Sequence, residues 1–126
     1  MAELRFKREI VEELLLEAGF SNIKSSKISC FGEDFFQTEA FLDKGCSREI
    51  YVFIESLGNE IAIHMQNNVD LKILKNSRQV TLSIENGKIN KKDGFEIKAF
   101  SLRVVFYEAN KRLTNFISNL EKITLQ

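Results

Sequence analysis

The sequence predicts an α+β domain: an N-terminal helix, an antiparallel β-meander of about five to seven strands, and a long C-terminal helix packed on the sheet. Three observations predict it. Apolar residues recur at helical spacing near the start of the chain, alternate with polar ones through the middle, and return to a heptad rhythm at the end. The 126 residues are 44% apolar and 29% charged, with no proline and no low-complexity stretch. Residues 1–126 therefore read as a single α+β domain with enough chain to bury a core.

Residues 3–18 read as an amphipathic helix. Ile10, Val11, Leu14, Leu15 and Ala18 form its apolar stripe. Gly19 supplies the left-handed position after the last turn, and Phe20 can fold back over Leu15 in a Schellman-type end. Glu9, Glu12, Glu13 and Glu17 occupy the other side. Acidic residues in the last turn oppose the helix dipole, and Glu9, Glu13 and Glu17 repel one another at i,i+4 spacing, so this face is either simply solvated or meets a basic surface.

Gly19, Gly32, Gly45 and Gly58 are spaced 13 residues apart without any repeat of the side chains between them, which is the rhythm of strands separated by turns. Ile28 and Cys30 alternate in the expected first strand. Phe36, Thr38, Ala40 and Leu42 do so in the second, and Ile50, Val52 and Ile54 in the third. Ile61, Ile63 and Met65 follow a Leu57-Gly58-Asn59 turn. Val69, Leu71 and Ile73 suit either a strand or a short helix. Val80, Leu82 and Ile84 precede Asn86-Gly87, a strong two-residue hairpin signal. Phe95, Ile97 and Ala99 favour a strand over residues 95–100, although Asp93 and Glu96 have capping-box spacing for an early helix start.

Leu102, Phe106, Ala109, Leu113, Phe116, Leu120 and Ile123 then form a heptad seam, widened by Val105 and Ile117. Such a seam either closes the core over the sheet or pairs with its copy in a dimer. The order of elements resembles the layout of small secretion chaperones and of several immunity and inhibitor proteins. It is a likeness of layout, and it assigns no site residue.

Eighteen Lys and Arg balance eighteen Asp and Glu. The balance is uneven along the chain: residues 1–66 hold 7 basic against 12 acidic side chains, and residues 67–126 hold 11 against 6. If the fold keeps these halves apart, the molecule has a negative and a positive side that can steer a charged partner. No run of about 18 apolar residues suggests a membrane span. The first residues lack the apolar stretch of a signal peptide, so a cytoplasmic location is expected.

Chemistry-bearing motifs are sparse. Cys30 and Cys46 lack metal-ligand spacing; Cys30 alternates with Ile28 as a buried residue would. Cys46 lies in Lys44-Gly45-Cys46-Ser47-Arg48, where two cations could lower a thiol pKa, but no protease or phosphate-loop signature surrounds it. His64 is the single histidine and falls on the polar face of its strand. Carboxylates at Glu33-Asp34, Glu39 and Glu55 are available without a catalytic pattern. No catalytic, metal-binding or cofactor-binding residue is assigned, and no cofactor is expected.

Two surfaces remain. Phe35, Phe41, Tyr51 and Phe53 alternate opposite to the main core set, so they are either covered by the N-terminal helix or a curl of the sheet, or they form a partner site. Residues 70–92 carry Lys72, Lys75, Arg78, Lys88, Lys91 and Lys92 against Asp70 and Glu85, with Lys88, Lys91 and Lys92 expected to project from a hairpin end. The expected function is a non-catalytic protein-binding module of inhibitor, immunity or chaperone type. Phe35, Phe41, Tyr51 and Phe53 would anchor the partner, and charged rims including Lys88, Lys91 and Lys92 would orient it. The partner is another protein, with a homodimer as one form and no membrane involved. One alternative is a small-ligand binder or enzyme with a pocket between sheet and C-terminal helix. Another is nucleic-acid binding through residues 70–92, disfavoured because Glu39, Asp43, Glu49 and Glu55 surround the aromatic residues and repel phosphate.

Overall fold

A computed structural model of the chain describes residues 6–29, 35–44, 47–67, 76–96 and 103–124. Helix α1 (Arg8–Glu17) leads into strands β1 (Ser21–Lys27), β2 (Phe35–Lys44), β3 (Ser47–Leu57), β4 (Glu60–Asn67), β5 (Ser77–Glu85) and β6 (Lys88–Glu96), and helix α2 (Arg103–Thr124) closes the domain. The strands form one sheet in sequence order, each antiparallel to its neighbour. The expected α+β meander with a helix at each end is thus the fold.

Period-2 alternation decides which side chains meet the helices. Phe36, Ala40 and Leu42 of β2, Ile50, Val52 and Ile54 of β3, Ile61, Ile63 and Met65 of β4, and Val80, Leu82 and Ile84 of β5 share one buried face. Val11, Leu14 and Leu15 of α1 join the same core, as do Phe106, Ala109, Leu113, Phe116, Ile117 and Leu120 of α2. Each large side chain removed from water in this way contributes about 1.5–3 kcal/mol. The heptad seam of α2 is therefore spent on the chain's own core. Among its described members only Ile123, 39% exposed, rises out at its end, and Leu102 lies outside the described residues.

The end of α1 has the Schellman geometry its sequence implies. The Phe20 amide donates to the Leu15 carbonyl and the Gly19 amide to Leu16, both at 3.0 Å, with Gly19 at φ +95°. Arg112 of α2 lies against this glycine and donates to the Ala18 carbonyl at 3.2 Å, placing a cation on the negative end of α1. Glu108, one turn earlier on α2, holds the same guanidinium at 3.1 Å. At the other end of the sheet, Asn86 (φ 51°) and Gly87 (φ 74°) make the left-handed pair of a tight hairpin turn.

Arg78 is the exception on the helix-facing side. It lies in step with Val80 and Leu82 and is only 7% exposed. Its Nε donates to Asp93 of β6 at 2.9 Å, and its Nη1 donates to Asn110 and Thr114 of α2 at 2.7 and 2.8 Å. One guanidinium thus ties the edge strand β6 to α2, with its donors matched to a carboxylate fork and two helix side chains. Phe95 continues this contact, its ring 5.5 Å from that of Phe106 and 6.5 Å from that of Tyr107.

Several expectations are corrected. The first strand is Ser21–Lys27, ahead of Ile28 and Cys30, and its only large apolar side chain is Ile23. It forms because β2 offers an edge to pair with, and Asn22, at φ 52°, bulges out of it where the register shifts. Helix α1 starts at Arg8, after Phe6 and the extended Lys7; residues 3–5 of the expected helix lie outside the described residues. Lys88 flanks the Asn86-Gly87 turn at the hairpin end, whereas Lys91 and Lys92 lie further along β6, opposite Leu82 and Thr81. The expectations for Cys30, Cys46, Val69, Leu71, Ile73, Lys72, Lys75 and residues 97–100 fall outside the described residues.

Candidate functional site: the open face of the sheet

Both helices pack on one side of the sheet, so the residues one position out of step define a second face. On it, strand register places Tyr51 between Phe41 and Gln66, Phe53 between Glu39 and His64, and Glu55 between Gln37 and Ala62. The Phe41 and Tyr51 rings are 5.3 Å apart and tilted; Tyr51 and Phe53 are 6.4 Å apart and stacked. Phe35, Phe41, Tyr51 and Phe53 are all half-buried. The four residues singled out in sequence do share this face. Phe35 stands at its end, beside the Gly58 turn.

Polar side chains lock the aromatic row. The Tyr51 hydroxyl donates to Glu39 Oε2 at 3.3 Å. Burial pushes the Tyr51 hydroxyl above its usual pKa, and the charge and hydrogen bond of Glu39 push it the same way. Next to Phe53, His64 Nδ1 is 2.9 Å from the Gln79 amide nitrogen and Nε2 is 3.3 Å from the Gln66 side-chain oxygen. The imidazole is thus held between two glutamine side chains.

Charge on this face is mixed. Glu39 and Asp43 on β2 and Glu55 on β3 are acidic, with Lys24 of β1 opposite Glu39. Ala62, His64 and Gln66 of β4 and Ser77, Gln79 and Thr81 of β5 carry no formal charge between them. On the far side Lys92, opposite Thr81, and Lys88, opposite Glu85, share the face with Glu96. Lys91, opposite the buried Leu82, belongs to the helix side and approaches Glu121 of α2 at 3.7 Å. The expected cluster of Lys88, Lys91 and Lys92 is thereby divided between two faces. Arg78, also part of that basic segment, is occupied in the core.

Sequence reasoning missed the Arg78–Asp93–Asn110–Thr114 cluster, although Arg78 alternates in step with Val80, Leu82 and Ile84. That alternation was the available signal. The space between sheet and α2 is filled by Phe106, Leu113, Phe116 and Leu120, each with no exposure. A shallow polar groove of about 560 Å³ lies instead on the outer side, between the end of α1 and α2, lined by residues such as Glu17, Arg112, Asn115 and Lys122. Among the described residues no three His, Cys, Asp or Glu side chains gather as a metal site would require, and no helix is long and apolar enough to cross a membrane. No family model matches the chain, and neither a curated protein nor a solved structure is significantly similar to it.

Proposed function

We propose that the protein is a non-catalytic binding module that holds another protein against the open face of its sheet. The observation that supports this reading is the row Phe41–Tyr51–Phe53, in which Tyr51 contacts the ring on either side, on a face that neither helix covers. Aromatic anchors within a charged rim are the usual makings of a protein interface, with the rings supplying affinity and the rim supplying orientation and on-rate. Phe35, at the end of the row, extends the apolar area, and Lys88 and Lys92 form the basic rim. An inhibitor, immunity-type or chaperone-type role uses a surface of this kind.

For the nucleic-acid alternative, the described part of residues 70–92 offers Lys88 and Lys92, since Arg78 is buried and Lys91 turns to α2. The ligand-pocket alternative meets a filled core. A second copy of the chain is one form the partner can take. It would use the open face, since the α2 seam is already buried.

The test is recovery of the native complex followed by substitution. Tyr51→Ala with Phe53→Ala keeps the far-ultraviolet spectrum and a cooperative melt, and releases the bound protein. Sedimentation at two concentrations shows whether that protein is a second copy. Retention of the partner by the folded double variant would overturn the assignment of this face.

A further inference from the structure

We propose that the open face receives a cationic side chain of the partner protein, an arginine in preference to a lysine, over the ring of Phe53. This deepens the binding reading above and rests on it. Phe53 has Glu39 opposite it on β2 and His64 opposite it on β4. Tyr51 and Glu55 flank it two positions away on its own strand. Directly opposed residues in a sheet have Cβ atoms about 4.5–5.5 Å apart, and same-face neighbours along a strand are about 7 Å apart. One ring is therefore bracketed by two carboxylates, a second ring and an imidazole.

The two carboxylates are half-buried, and among the described residues neither forms an ion pair. Among the described residues, Glu39 accepts a hydrogen bond from the Tyr51 hydroxyl. Lys24 lies opposite Glu39 on the edge strand but is exposed and makes no bridge to it. Partly desolvated negative charge without an internal counter-ion is lowered in energy by an incoming cation more than a fully solvated carboxylate would be. The ring between the carboxylates adds attraction from its negative π-face. Arginine satisfies both together, because its planar guanidinium can stack on a ring while its edge donates to a carboxylate; lysine offers a point charge and no plane.

Helix α1 supplies the internal control. Glu9, Glu13 and Glu17 line its exposed side with comparable negative charge and no aromatic ring. If negative charge alone drew the cation, this helix would compete with the sheet.

The experiment is titration of the isotopically labelled full chain with a hexapeptide alternating glycine and arginine, then with its lysine and glutamate counterparts, followed by amide shifts. The arginine peptide shifts residues 39, 51–55 and 64, binds several-fold tighter than the lysine peptide, and the glutamate peptide leaves the face unmoved. Glu39→Gln with Glu55→Gln keeps the side-chain shapes and weakens the arginine peptide by about tenfold. Phe53→Leu keeps an apolar residue and erases the arginine-over-lysine difference. Shifts centred on Glu9, Glu13 and Glu17, or an unchanged affinity in the double glutamine variant, would overturn the proposal. A native partner that is lost with Tyr51→Ala and Phe53→Ala, yet is held equally well by Glu39→Gln with Glu55→Gln, would sink the cation site and leave the protein-binding face standing.

Discussion

Along β3, Ile50, Val52, Ile54 and Ser56 turn to the helices and lose all exposure, while Tyr51, Phe53 and Glu55, one residue out of step, stay half-exposed. The same strand thus feeds two surfaces with different work to do. The helix-covered face is aliphatic and aromatic, filled from both sides, and its buried guanidinium, Arg78, is matched by Asp93, Asn110 and Thr114. The open face carries rings of similar bulk, but among the described residues its carboxylates Glu39 and Glu55 form no ion pair within the chain. A side chain's size does not say which role it has; its neighbour across the sheet does.

That contrast predicts a steep difference in what substitutions cost. The largest effect belongs to the covered face. Phe116→Ala leaves a cavity beneath α2 and destabilises the domain by about 3–5 kcal/mol, measured by chemical denaturation. Arg78→Ala comes next, at about 2–3 kcal/mol, since it strands Asp93 and removes the tie between β6 and α2 while Asp93 keeps some solvent. The hydrogen bonds from Arg78 hold the Asp93 carboxyl below its ordinary pKa. The stability this pair gives is accordingly complete above the usual carboxylate range and is lost as pH falls through the lowered value. Asp93→Asn flattens that part of the acid unfolding curve.

Smaller effects sharpen the comparison. Gly19→Ala forces a side chain into φ +95° and pushes on Arg112, costing about 1–2 kcal/mol without touching either face of the sheet. On the open face, Phe53→Ala costs about 1 kcal/mol or less, because a half-exposed ring leaves no closed cavity. A loss as large as that of Phe116→Ala would mean that the two faces are not distinct. The least effect is spectroscopic. The Tyr51 phenol titrates above its ordinary value of 10.0. Its share of stability is therefore complete below that value and declines as pH rises through the raised pKa. Glu39→Gln removes two of the causes and brings the titration down, as absorbance of the phenolate reports.

Much of the fold was legible in the sequence, and the reason is periodicity. Val80, Leu82 and Ile84 before Asn86-Gly87, and the seam from Phe106 to Leu120, each name their structure and their buried side. The first strand was not legible, because Ser21–Lys27 has one large apolar residue and is selected by the free edge of β2 and not by any pattern of its own. The aromatic face was legible at Phe41, Tyr51 and Phe53 as the off-phase of two strong strands. What lay beyond reach was pairing. Nothing in the chain says that Glu39 meets Tyr51, that His64 sits between two glutamines, or that Lys91 and Lys92, adjacent in sequence, part company across a pleat. Arg78 was misread as part of a basic patch because composition was weighed there ahead of alternation.

The most direct measurement of the central claim is a paired one on Phe53→Ala: unfolding free energy and affinity for the native partner, taken on the same preparation. A surface built for recognition gives near wild-type stability with affinity reduced by at least an order of magnitude, as expected for an anchor residue. Undiminished affinity, or a stability loss on the scale of Phe116→Ala, contradicts it.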